Sequence, residues 1–68
     1  MTVLVNGEPL ELPDGTDLSG LLNRIGQGEQ GAPVAVAVNL DIVRRQDRSL
    51  RKLQDGDRVD IVTAVGGG

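Results

Sequence analysis

The residues best placed to do chemistry in this chain are its last ones, Ala64, Val65, Gly66, Gly67 and Gly68, ending in a free carboxylate. They follow directly on 58–63, a stretch that reads as a strand. Three consecutive glycines have no side chain to bury, and ordering them is costly because they keep the most backbone freedom. Their use must therefore lie outside the fold. A chain without Cβ atoms is slim enough to enter a narrow channel in another protein, and five extended residues reach at most about 17 Å. The tip then presents one handle, the α-carboxylate of Gly68. The plainer alternative is a frayed terminus.

The side-chain inventory points the same way. There is no His, Cys, Tyr, Trp or Phe. The commonest general base and the thiol nucleophile are both missing, as are the ligands of Cys/His zinc sites, and no disulfide can form. If the protein handles sulfur, no side chain can hold it as a persulfide, which leaves the C-terminal carboxyl carbon. With 68 residues, a single domain buries only about 60% of its unfolded surface. That leaves little room for a substrate cavity inside the fold, so a free-standing enzyme is not expected, and no bound cofactor or metal is either.

The net charge of −3 disfavours nucleic-acid binding, which needs a basic face. The charge is uneven, however: five of the seven basic residues are Arg44, Arg45, Arg48, Arg51 and Lys52. This cluster reads as a solvated connector or, more sharply, as a docking surface for an acidic partner. No apolar run is long enough to span a membrane. The chain opens on a strand-like Met1–Val5 with no basic segment before it, so no signal peptide is expected and the cytoplasm is the default location.

The elements that must position the tail can be read in order. Thr2–Asn6 is apolar and β-branched, with Val3 and Val5 toward the core and Leu4 on the other face. Asn6-Gly7 is a tight-turn signal, although Glu8 and Pro9 leave room for a longer loop. Leu10 and Leu12 resume the alternation, so residues 2–12 form an antiparallel hairpin. Thr16 or Asp17 caps a helix of about two and a half turns, on which Leu18, Leu21, Leu22 and Ile25 make one apolar stripe. Gly26 is its stop. Residues 27–33 read as a polar, glycine-rich loop. Val34–Val38 is an interior strand with its valines toward the core. A turn at Asn39–Asp41 and a very short strand at Ile42-Val43 follow. Leu50 and Leu53 then tuck the charged 44–52 stretch onto the core. Gln54–Asp57 is a turn before the last strand, where Val59 and Ile61 share a face. Leu4, Val62 and Ala64 fall on the face away from the helix, a candidate apolar docking face. The order strand, strand, helix, strand, short strand, strand predicts an α+β, β-grasp (ubiquitin-like) fold, a mixed sheet of four to five strands with one helix on one face. Residues 1–63 are its domain and 64–68 a flexible glycine tail.

Four stretches together carry a family resemblance. They are the Val5-Asn6-Gly7 turn, the Val34–Asn39 run, Leu53-Gln54-Asp55-Gly56-Asp57-Arg58-Val59, and the ending Ile61–Gly68. Leu-x-x-Gly-Asp-x-Val-x-Ile alone recurs in many β-grasp domains, including TGS modules. Joined through one short strand to a terminal diglycine, it is specific. The chain resembles the ThiS family of sulfur carrier proteins of thiamin (thiazole) biosynthesis, over essentially its whole length. It departs from the family pattern at Leu40-Asp41, where a small residue is common after Asn39, and at Ala64, where relatives often have an aromatic residue.

The resemblance implies a mechanism. A ThiF-type adenylating enzyme, using ATP and Mg²⁺ of its own, activates Gly68 as an acyl-adenylate. A persulfide donor displaces AMP, reduction leaves a thiocarboxylate, and a thiazole synthase (ThiG-type) accepts the sulfur. Gly66 and Gly67 keep the approach narrow, Ala64 and Val65 meet the channel mouth, and Leu4 and Val62 dock the domain. The chain is then a protein substrate and carrier rather than an enzyme. Alternatives are a MoaD-like or tRNA-thiolation carrier, a ubiquitin-like modifier, or a β-grasp binding module with an inert tail.

Overall fold

The computed structural model describes residues 1–25 and 35–62. They form the strands β1 (Thr2–Val5), β2 (Glu8–Glu11), β3 (Ala35–Val38), β4 (Asp41–Ile42) and β5 (Arg58–Val62), the helix α1 (Leu18–Arg24), and a 3₁₀ turn at Arg45–Asp47. The five strands make one mixed sheet in the order β2-β1-β5-β3-β4. β5 lies at its centre, parallel to β1 and antiparallel to β3. This is the β-grasp arrangement expected from the sequence.

Leu18, Leu21 and Leu22 of α1 are buried against Val3, Val36, Val38 and Val59 of the sheet, and Ile25 packs at the margin of this cluster. Each such side chain contributes about 1.5–3 kcal/mol when fully buried, and this packing is what holds a seven-residue helix that would not persist alone. The first helical N–H groups are all accounted for. Leu18 N–H donates to Arg51 C=O at 2.9 Å, Ser19 N–H to Arg48 C=O at 3.3 Å, and Leu21 N–H to Asp17 C=O at 3.0 Å. Gly20 N–H donates to the Asp17 carboxylate at 2.8 Å. Asp17 is therefore the cap, while the Thr16 hydroxyl turns back to Pro13 C=O at 2.7 Å. The helix ends at Arg24 with Ile25 as its C-cap, about two turns long. Gly26 and Val34 lie outside the described residues.

Both hairpins close on two residues, since Val5 pairs with Glu8 and Val38 with Asp41. Asn6-Gly7 has φ of 49° and 87°, and Asn39-Leu40 has φ of 51° and 73°. Positive φ at both central residues matches the right-handed strand twist. Pro9 is accommodated because β2 is an edge strand.

Two expectations about the second half of the chain are corrected. The short strand is Asp41–Ile42 rather than Ile42-Val43, because the two-residue turn brings Asp41 opposite Val38. Leu53 is buried as expected, but Leu50 is 76% exposed. The inward position of that loop goes to Arg48, a residue only 8% exposed, whose C=O meets the start of α1. The long aliphatic stem of arginine can cover the core where a leucine was expected.

Candidate functional site

β5 leads into the tail, so whatever fixes β5 fixes the tail's root. Two asparagines do so from opposite sides. Asn6 N–H extends the β1–β5 ladder by donating to Val59 C=O at 2.9 Å. Its side chain then continues the ladder one rung further: Oδ1 accepts from Ile61 N–H at 2.7 Å and Nδ2 donates to Ile61 C=O at 3.2 Å. At the other end, Asn39 N–H donates to Arg58 C=O at 2.8 Å. Asn39 Oδ1 accepts from Arg58 N–H at 3.0 Å, and Nδ2 donates to the Asp57 carboxylate at 3.0 Å. Because β1 runs parallel to β5 and β3 antiparallel, the two turns fall at opposite ends of β5. Sequence reasoning read these asparagines only as turn formers. The available signal was that each is the first residue of a turn that follows an apolar strand.

The face away from α1 carries Leu4 and Val62, 40% and 58% exposed. The register does not bring them together. Leu4 sits opposite Pro9 and Arg58, whereas Val62 sits opposite Ala35. Four residues of β5 separate the two levels, about 13 Å along the strand. Between them stand Asp60, opposite Ala37, and the Arg58 Nε–Asp60 ion pair at 3.3 Å. Ala37 in turn pairs with Ile42 on the edge strand. The apolar neighbours of the tail root are thus Val62, Ala35 and, one rung further back, Ala37 and Ile42. Ala64, Val65, Gly66, Gly67 and Gly68 lie outside the described residues.

Among the described residues no group of three or more His, Cys, Asp or Glu could hold a metal ion. No described helix is long and apolar enough to cross a membrane.

Comparison with known proteins decides among the β-grasp readings. The model of the ThiS family matches residues 3–68, through the three terminal glycines. The chain belongs to the ThiS family. It is 31% identical, over all of both chains, to the sulfur carrier protein ThiS of Escherichia coli. Its fold superimposes on the crystal structure of the thiamine biosynthesis protein ThiS from Geobacter metallireducens with a TM-score of 0.79 and 27% identity, covering 100% of each chain. It is also 38% identical, over its whole length, to a thiazole synthase of Magnetococcus marinus, of which it spans 20%. The family is that of the sulfur carriers of thiamin biosynthesis, and the β-grasp fold is the one this chain shares with the Geobacter ThiS.

Proposed function

We propose that this chain carries sulfur for thiazole formation as a thiocarboxylate at Gly68, and is a protein substrate rather than an enzyme. The observation that carries the reading is the family match running to the last glycine of the sequence. The inventory supports it: with no cysteine, the carboxyl carbon is the one place for transferable sulfur.

The steps follow from carboxylate chemistry. A carboxylate is a poor electrophile because its leaving group would be oxide or hydroxide. Attack of the Gly68 carboxylate on the α-phosphorus of ATP expels pyrophosphate and makes AMP the leaving group. The terminal sulfur of a persulfide donor then attacks the acyl carbon and AMP departs, leaving an acyl disulfide. Two electrons from a thiol reductant cleave the S–S bond and leave the thiocarboxylate. The ATP and Mg²⁺ sites belong to a ThiF-type adenylating enzyme, and the acceptor is a thiazole synthase of the ThiG type. In this reading the chemistry takes place in the cytoplasm, Ala64 and Val65 line the mouth of the partner's channel, Gly66 and Gly67 keep the approach slim, and Leu4 and Val62 dock the domain.

The test is the intact mass of the protein after incubation with ATP, Mg²⁺, the adenylating enzyme and a persulfide donor. The full-length chain should gain the mass of one oxygen exchanged for sulfur, and a variant lacking Gly68 should gain nothing. No gain and no adenylate, with an enzyme active on another carrier, would make the tail inert and the domain a β-grasp binding module.

A further inference from the structure

The lateral edge of the sheet, formed by β4 and the 44–52 segment, has features that neither the core nor the tail uses. Leu40, Ile42 and Leu50 are 77%, 76% and 76% exposed. Ile42, Val43, Asp47, Leu50 and Arg51 line an open groove of about 240 Å³. The surroundings are basic. Segment 44–52 holds five basic residues and one acidic one, so it stands at +4 and the remainder of the chain at −7. Arg48 faces inward, but Arg44, Arg45 and Lys52 are exposed, and Arg51 lines the groove. The acid in the groove, Asp47, is engaged by Arg44 Nε at 3.3 Å.

The two hairpins provide an internal comparison. The first places Gly7 at φ 87°, a conformation that costs glycine nothing, and the second places Leu40 at φ 73°. A side chain with a Cβ is strained there. Leu40 gains nothing from the fold in return, because it stands in solvent. Strain kept for a side chain that the fold does not bury points to a contact made outside the fold.

We propose that this edge docks a thiazole synthase, with Leu40, Ile42 and Leu50 meeting an apolar side chain and Arg44, Arg45, Arg51 and Lys52 meeting carboxylates around it. The charge excess calls for an acidic partner surface. The Magnetococcus marinus thiazole synthase contains a stretch matching this entire chain, so there the two modules share a polypeptide and remain within reach of one another. The position suits such a partner, because β4 lies two strands from β5, about 10 Å across the sheet. Along the strands Ile42 stands at the Asp60 level, two residues short of Val62, and Leu40 lies toward the Arg58 end of β5, so a protein seated on this edge lies to one side of β5 and behind the point where the tail departs. The choice of partner rests on the proposed sulfur-carrier function; the existence of the surface does not.

The test titrates the wild-type protein and three variants into the thiazole synthase of the same organism by calorimetry, with Tm and thiocarboxylate mass recorded for each. Leu40→Gly should raise Tm by about 2–6 °C as the turn relaxes, yet weaken binding about tenfold. Leu50→Asp should leave Tm unchanged and weaken binding at least as much. Arg51→Glu should weaken binding and flatten its dependence on salt. Wild-type affinity in Leu40→Gly and Leu50→Asp, or no binding by the wild type, would overturn the proposal. So would self-association of the wild type that Leu50→Asp abolishes, since the surface would then join two copies. A wild type that binds but never gains sulfur sinks the carrier reading alone. Variants that gain sulfur normally and bind normally sink the docking surface alone.

Discussion

The side-chain amide of Asn6 makes two bonds to one residue of β5, accepting from Ile61 N–H and donating to Ile61 C=O, as a neighbouring backbone peptide would. Asn39 makes a comparable pair at the entrance of β5 with Arg58 N–H and the Asp57 carboxylate. Each asparagine also holds a positive φ that few residues tolerate. Asn6→Ala and Asn39→Ala should therefore each cost about 2 kcal/mol, from two partly solvated hydrogen bonds and a strained turn. Their effects on the tail should differ. Asn6→Ala frees the strand end from which the tail departs, so it should slow adenylation of Gly68, measured as pyrophosphate release at saturating ATP. Asn39→Ala, with a similar loss of Tm, should not. Equal slowing by both would show that the clamp serves stability alone. Neither role was legible beforehand. A sequence shows that Asn-Gly turns, but not which distant strand the free amide meets.

The elements divide into those fixed by local pattern and those fixed by distant partners. The stripe Leu18, Leu21, Leu22, Ile25 identified α1, and the alternation of Val34–Val38 identified β3 and its buried face, because both patterns are local. The cap was ambiguous because Thr16 and Asp17 both carry a suitable oxygen. It was settled by Pro13, whose C=O takes the Thr16 hydroxyl. Asp17→Ala should accordingly cost about 1 kcal/mol, while Thr16→Ala should cost less, since Thr16 does not cap. Thermal denaturation of the two variants checks the order, and a larger loss for Thr16→Ala would return the cap to threonine. Leu50 was misplaced for a related reason. An apolar residue in a charged loop suggests burial, but the loop turns its carbonyls toward α1 at Arg48 and Arg51, and this leaves Leu50 outside. That geometry depends on where the helix sits, information that residues 44–52 do not contain.

For the molecule as a whole, the register of β1 against β5 decides what kind of surface the tail-bearing domain offers. Alternation alone correctly put Leu4 and Val62 on one face. It could not place them along that face, because the parallel pairing joins residues more than fifty positions apart in sequence. Leu4 lies at the Arg58 level and Val62 at the exit of β5, with Asp60 between them. A single apolar knob on a partner therefore cannot cover both, and in the proposed docking the face would offer two separate contacts flanking an ion pair. Residues about 13 Å apart without shared neighbours act additively, within about 0.5 kcal/mol. Binding of Leu4→Ala, Val62→Ala and the double variant to the adenylating enzyme should therefore give a coupling energy near zero. Val62→Ala should carry the larger single loss, because Val62 borders the tail. A coupling of 1 kcal/mol or more would mean that the partner bridges the two levels, and that the strand register seen here shifts when the tail is engaged.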